Sequence, residues 1–93
     1  MSVYHWIITT DHIDGGRSKG IRGPRGSRAT VEDITAKGQP FRMHDDDGEL
    51  YYEGVYLGPD DESMFGPLDD FGTPNAGCTS IQFKNARGAW EKL

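Results

Sequence analysis

Large apolar residues are scarce in this chain, which limits how large a core it can build. Leucine, isoleucine, valine and phenylalanine account for 17 of the 93 residues, close to the fraction at which chains stay disordered. Two tryptophans and four tyrosines compensate, because each can bury a large area. We therefore expect one domain over residues 1–93, with a small core beneath long ordered loops.

The single cysteine, Cys78, excludes an intrachain disulfide framework and a four-thiolate zinc site. We expect it to be a buried structural thiol. The sequence begins with no charged-then-apolar leader pattern, and no apolar run approaches the roughly 20 residues of a membrane span. The expectation is a cytoplasmic protein that does not engage a membrane.

Runs of β-branched and aromatic residues predict five strands and one short helix. The strands are expected at residues 3–10, 41–45, 49–58, 78–84 and 89–93, and the helix at residues 30–37. Thr30 is suited to cap the helix and Gly38 to end it in a left-handed conformation. The predicted fold class is α+β, a small antiparallel β-sheet of about four to five strands with one short helix packed across it and long ordered loops.

Three local features are also predicted. Asp47-Gly48 is the residue pair expected of a two-residue type I′ hairpin turn. Gly54 is the expected site of a β-bulge, because the apolar residues on either side of it do not alternate in one phase. Trp6 and Trp90 are expected in or near the same core, because few other large apolar residues exist to cover them.

Two segments are predicted to be loops of opposite character. Residues 15–28 hold five glycines and five cations, which predicts a mobile basic loop. Residues 59–77 mix acids with apolar side chains, which is too apolar for a free linker. We expect an ordered acidic and apolar loop that pins its apolar residues onto the sheet, namely Met64, Phe65, Leu68 and Phe71.

The formal charge is distributed very unevenly along the chain. Residues 43–83 hold ten acids and no Lys or Arg, whereas residues 11–42 carry a charge of +3 and residues 84–93 a charge of +2. One interpretation is a solvated acidic surface that keeps a small domain soluble. The other is an acidic face that docks on a basic partner surface, in the limit imitating the phosphates of a nucleic acid.

The second interpretation predicts a partner-binding surface on the acidic hairpin and the loop that follows it. Tyr51 is expected to face outward between acids, because an exposed tyrosine rimmed by acids is common in protein interfaces. The residues assigned to this surface are Tyr51, Glu53, Asp60, Asp61, Glu62, Met64 and Phe65.

Arg22, Arg25 and Arg28 recur every third residue within residues 17–28, the arginine-rich part of this loop. In an extended, polyproline-like form these arginines align on one edge, where guanidinium groups can grip phosphates or carboxylates. Nucleic-acid contact through them is therefore the alternative function, although one basic loop beside ten acids is a poor surface for duplex binding. The competing interpretation is that these arginines pair with the chain's own acids.

No motif indicates catalysis, a metal or a cofactor. The Asp45-Asp46-Asp47 run lacks the spacing of a calcium loop. The Asp11-His12-x-Asp14 cluster has no convergent nucleophile. We therefore predict a protein that is not an enzyme and needs no cofactor.

Three segments carry a resemblance to known proteins: residues 4–13 (YHWIITTDHI), 46–54 (DDGELYYEG) and 65–79 (FGPLDDFGTPNAGCT). In these segments the chain resembles small uncharacterised proteins of actinobacteria and their phages. The resemblance brings no activity, cofactor or catalytic residue. It implies a small acidic accessory protein, encoded by a phage or mobile element, that binds a host cytoplasmic protein.

Overall fold

The structure, a computed structural model, describes residues 3–93 and shows an α+β fold. Its single antiparallel sheet has six strands in the order β2-β1-β4-β3-β5-β6. The strands are β1 (His5–Asp11), β2 (Arg22–Gly23), β3 (Gln39–His44), β4 (Leu50–Leu57), β5 (Ser80–Lys84) and β6 (Trp90–Lys92). One helix, α1 (Val31–Lys37), precedes β3. The predicted fold class is confirmed, and β2 is a strand that the sequence did not predict.

Helix α1 begins and ends close to where the sequence predicts. The Thr30 hydroxyl accepts a hydrogen bond from the Asp33 amide at 3.1 Å, as an N-cap residue should. Gly38 donates its N–H to the Ile34 carbonyl at 2.8 Å, but its φ is −84°, so the predicted left-handed stop is wrong. Glycine is required there because a Cβ would overlap the Ile34 carbonyl and the Val55 side chain.

A second group of helical turns connects β4 to β5. Residues 62–76, hereafter the helical segment, contain turns at Glu62–Phe65, Leu68–Gly72 and Thr73–Ala76. Met64, Leu68 and Phe71 are buried against the sheet, as predicted for this part of the chain. Phe65 is 38% exposed and does not join them.

The two faces of the sheet are covered differently. The helical segment packs on the face we call the core face, which carries the main hydrophobic core. The sheet contributes Trp6, Ile8, Phe41, Met43, Tyr52, Tyr56, Ile81 and Phe83 to that core. Helix α1 lies on the opposite face, where it packs against β1 and β4 and buries Ile34.

The hairpin between β3 and β4 differs from the predicted type I′ turn. Gly48 has a φ of +80°, but Asp47 does not share a positive φ. The Asp45 amide donates to the Glu49 carbonyl and the Gly48 amide donates to the Asp45 carbonyl, both at 3.1 Å. This is a three-residue loop with glycine at its left-handed position, a common hairpin connection.

The predicted bulge at Gly54 is also wrong. The register shifts lie elsewhere, at Thr9 in β1 and at Tyr51 in β4. Gly54 is paired in register with Ile8 and Phe41. Its glycine is needed for close approach, because a Cβ would overlap the Ile7 carbonyl and the Phe41 ring.

The basic segment 15–28 is anchored to the edge of the sheet at several points. Ile8 donates its amide to the Ile21 carbonyl at 2.8 Å, and Gly20 donates to the Ile8 carbonyl at 2.7 Å. The Asp11 carboxylate accepts from the amides of Ile13, Asp14 and Ser18, each at 3.0 Å. These hydrogen bonds outweigh the opposing effect of burial and lower the pKa of Asp11. Asp11 therefore organises the start of the segment.

Among residues 3–93, no helix is both long and apolar enough to cross a membrane.

Candidate protein-interaction surface

Five exposed carboxylates lie within eleven residues, in and just before the helical segment. We call this set the acidic patch: Asp60, Asp61, Glu62, Asp69 and Asp70. It surrounds a pair of aromatic rings, since Asp69 and Asp70 act on Tyr4 and Asp60 and Asp61 act on Tyr56. The centroids of these two rings are 6.2 Å apart. Four of the five acids therefore lie on one side of the molecule, and Glu62 follows Asp61 directly in the chain.

Two members of the acidic patch also hold the helical segment in place. The Asp70 carboxylate accepts hydrogen bonds from the Tyr4 hydroxyl at 2.8 Å and from the Trp6 indole N–H at 3.1 Å. The Asp61 carboxylate accepts from the Ser63 amide at 2.8 Å and so caps the first turn. Gly66 lies so close to the Tyr4 ring that a Cβ there would overlap it. The patch is thus presented on a well-anchored support.

The remaining members are free to act on other molecules. Of the ion pairs within 4.0 Å among residues 3–93, none involves Asp60, Glu62 or Asp69. The negative charges of the patch contribute to raising the pKa values of the neighbouring tyrosines. Burial, reinforced by the hydrogen bond and charge of Asp70, raises the pKa of Tyr4 to about 12. Burial, reinforced by Asp61 and Asp60, raises the pKa of Tyr56 to about 12.

The residues that the sequence assigns to the partner-binding surface fall into two separate groups in the structure. Asp60, Asp61, Glu62 and Phe65 lie together, but Tyr51 and Glu53 lie toward the hairpin end of β4. The eight residues of β4 span about 25 Å, since a strand rises roughly 3.3 Å per residue. The acidic hairpin and the acidic patch therefore do not form one continuous surface.

Three individual assignments need correction. Met64 is only 5% exposed and packs in the core, so its side chain cannot contact a partner. Tyr51 packs against the core with its ring 6.5 Å from that of Tyr52, because the register shift at Tyr51 breaks the strand's alternation. Glu53 is engaged by the His12 ring at 2.7 Å. Of the residues assigned to this surface from the sequence, Phe65 is the one with an exposed apolar side chain.

The predicted alignment of Arg22, Arg25 and Arg28 is wrong. A turn interrupts the triplets, with the Ser27 amide donating to the Pro24 carbonyl at 2.9 Å and Gly26 at a φ of +88°. A polyproline helix has no such internal hydrogen bond. The three arginines are exposed, and in the described part of the chain none of them forms an ion pair with an acid.

The described residues bring together no group of three His, Cys, Asp or Glu side chains able to hold a metal ion. Asp45 in the hairpin is occupied by the amides of Asp47 and Glu49, each at 2.9 Å. Cys78 is buried, as predicted. Its burial, with a smaller contribution from the charge of Asp45, raises the pKa of the thiol to about 11, which makes it a poor nucleophile near neutral pH.

A second charged surface was missed by the sequence reasoning. Arg42, Lys84, Trp90 and Lys92 lie on the face opposite the core, so Trp90 does not share a core with Trp6 as predicted. The alternation of β5 could have indicated this surface, because Gln82 and Lys84 alternate with residues of the core and so point to the other face.

His44 predicts a pH dependence of stability. Its ring is partly buried and its Nδ1 atom has no hydrogen-bond partner within the described structure. Burial, followed by the charge of Arg42, holds the pKa of His44 below its ordinary value of 6.5, against a smaller effect of Asp45. The unfolded chain then takes up this proton more readily than the folded protein. Stability is therefore retained above pH 6.5 and lost as the pH falls toward the folded-state pKa.

Urea unfolding of the wild type and of His44→Gln at a series of pH values measures this effect. We expect the wild type to lose more stability than the variant between pH 7 and pH 5. Parallel stability curves for the two proteins would show that His44 does not titrate in this way. The carboxyl groups of Asp11 and Asp45, whose pKa values are lowered from 3.8, act only at more acidic pH.

The geometry of the acidic patch suits contact with another macromolecule better than chemistry. Exposed carboxylates beside one exposed aromatic ring resemble the arrangement of polar rim and apolar anchor found in protein interfaces. No catalytic nucleophile lies among these residues. No family model, no curated protein and no solved structure matches this chain.

Proposed function

We propose that this chain is a small, non-enzymatic accessory protein that binds a basic surface of a host cytoplasmic protein through the acidic patch and Phe65. The observation that carries the proposal is the combination of Asp60, Glu62 and Asp69, which form no ion pair within residues 3–93, with the 38% exposed Phe65. The resemblance to small proteins of actinobacteria and their phages supports the choice of a host partner.

Each part of this surface has a separate physical role. Carboxylates that are not neutralised within the molecule create a field that steers a basic partner and raises its association rate. Phe65 offers apolar area that is removed from water when the partner docks, which slows dissociation. Asp70 anchors the helical segment, so the surface is already ordered before the partner binds. Binding therefore loses less conformational entropy.

The alternative is nucleic-acid contact through Arg22, Arg25 and Arg28. Their exposure and the absence of ion pairs to them in the described residues support it, but the turn at Pro24–Ser27 separates the side chains. A nucleic-acid mimic is also less well supported, because the acidic hairpin and the acidic patch lie at opposite ends of β4.

The proposal is tested by neutralising the patch without touching its structural members. The triple variant Asp60→Asn, Glu62→Gln, Asp69→Asn leaves Asp61 and Asp70 in place. We expect its free energy of unfolding to stay within about 0.5 kcal/mol of the wild type, as for most surface changes. Capture of the partner from an actinobacterial lysate should become slower and less sensitive to salt, because steering acts mainly on the on-rate.

A matched control neutralises three acids of the hairpin, with Asp46→Asn, Asp47→Asn and Glu49→Gln. It changes the net charge equally and should leave capture intact. Phe65→Ala is expected to speed dissociation of the captured partner without altering the salt dependence. If the patch variant captures the partner as well as the wild type does, this surface is not the interface.

A further inference from the structure

Half of the sheet face opposite the core carries no helix. Helix α1 packs against β1 and β4 on that face. Strands β3, β5 and β6 lie beyond it, and β6 is at the edge of the sheet. The side chains that this half presents are defined by the strand pairings, because neighbours in register point to the same face.

The pairings bring cations and an aromatic ring together there. Arg42 is opposite Gln82, and Gln82 is opposite Lys92, so these three form a row across three strands. Lys84 is opposite Trp90 in the adjacent row. We call these five residues the basic face. Since neighbouring strands are about 4.8 Å apart, its outer cations are separated by roughly 10 Å.

Two contacts fix the centre of the basic face. The Arg42 side chain donates its Nε–H to the Gln82 amide oxygen at 2.6 Å. Its guanidinium carbon lies 4.2 Å from the centroid of the Trp90 ring, which is a cation–π contact. A guanidinium positioned over an aromatic ring retains N–H groups that can bind phosphate oxygens.

The cations of the basic face are not held in ion pairs within the described protein, although Glu53, opposite Arg42 in β4 and engaged by His12, lies on the same face. Arg42, Lys84 and Lys92 form no ion pair within 4.0 Å among residues 3–93. Glu91 lies between Trp90 and Lys92 in β6 but is opposite Phe83, and so belongs to the core face. The acidic patch also lies on the core face, beyond the sheet. The acidic patch and the basic face therefore lie on opposite sides of the sheet.

We propose that the basic face binds single-stranded nucleic acid, with its phosphates on Arg42, Lys84 and Lys92 and a base against Trp90. A row of cations beside an aromatic ring on an open sheet is the combination that such strands require. A nucleic-acid duplex is a poorer fit for two reasons. The three β-strands form only a narrow face, and the protein's net charge of −5 repels the many phosphates of a duplex. This proposal goes beyond the function proposed above and does not depend on it.

Fluorescence anisotropy with labelled twelve-nucleotide dT and rU strands tests the proposal, at salt concentrations from 50 to 200 mM. The variant Lys84→Gln, Lys92→Gln changes two exposed side chains, so its fold should be unaffected. We expect it to bind at least tenfold more weakly at 50 mM salt. The slope of log K against log salt should fall by about 1.4, since each phosphate contact on a single strand contributes about 0.7.

The matched control is Arg25→Gln, Arg28→Gln, which removes the same charge from the basic segment and should bind within twofold of the wild type. Trp90→Leu should weaken binding without changing the salt slope. A second readout keeps Trp90 in place and so does not depend on whether β6 tolerates its replacement. In a Trp6→Phe background, the fluorescence of Trp90 should be quenched by either oligonucleotide.

Three results would overturn the proposal. The first is the absence of binding by the wild type at 50 mM salt to both oligonucleotides. The second is an equal loss of affinity in the control variant, which would place the contact on the basic segment. The third is equal competition by polyglutamate with no effect of Trp90→Leu, which would identify the basic face as a site for an acidic protein segment.

Discussion

Trp6→Ala is expected to lower the free energy of unfolding by about 3–5 kcal/mol, which is a large part of the whole stability of a domain of this size. Trp6 is 3% exposed, and its ring centroid lies 5.6 Å from that of Phe71. Its indole N–H donates to Asp70, which ties the helical segment to β1. A Cβ at Gly23 would overlap the same ring, so β2 also packs directly on it. The substitution therefore loosens three elements at once.

Urea unfolding followed by circular dichroism measures the loss, and Trp90→Ala is the matched comparison. Trp90 is only partly buried, on the other face and on the last strand, so its truncation should cost no more than about 2 kcal/mol. Trp6→Phe should retain much of the stability, because it keeps a ring in the core and loses mainly the hydrogen bond to Asp70. Equal losses for the two alanine variants would contradict the separation of the tryptophans described above.

Gly54→Ala is expected to cost about 3 kcal/mol or more, an unusually large effect for the addition of one methyl group. Gly54 is in β4, between β1 and β3, where the added carbon would overlap the Ile7 carbonyl and the Phe41 ring. A flexible side chain would move aside, but the Ile7 carbonyl belongs to the central ladder of the sheet. Relief therefore requires that β1 and β4 separate locally.

Gly48 provides the control for this glycine. Its φ is +80°, and an added Cβ would meet nothing within 4 Å. Gly48→Asn should cost no more than about 1 kcal/mol, because asparagine tolerates the left-handed conformation. Both variants are compared by thermal and urea unfolding. A Gly54→Ala protein as stable as Gly48→Asn would mean that the sheet accommodates the methyl group.

The fold class and most of the elements were predictable because they depend on local patterns. The alternation around Ile81 and Phe83, the Thr30 cap of α1 and the glycine of the β3–β4 hairpin each act within a few residues. The register shift at Tyr51 was not predictable, because it depends on how β4 pairs with β3. Strand β2 was missed for a similar reason, since its two residues become a strand only by pairing with Trp6 and Ile7.

The candidate surfaces were predictable only as charge along the chain. The excess of acids in residues 43–83 is evident, but the sequence does not show that β4 places the hairpin and the acidic patch at opposite ends. The basic face was not predictable because its cations are far apart in the sequence. Arg42, Lys84 and Lys92 are up to fifty residues apart, and the pairing of β3, β5 and β6 brings them together.

The brevity of the two outer strands has a consequence for how the protein behaves in a crowded cell. An outer strand exposes unpaired N–H and C=O groups on which another chain can add a strand, and long flat edges invite aggregation. Here the outer strands have only two and three residues. Arg22 in one and Lys92 in the other add charges that discourage a neighbouring chain from lining up. The six-stranded sheet therefore offers little template for cross-β growth, even at high expression levels.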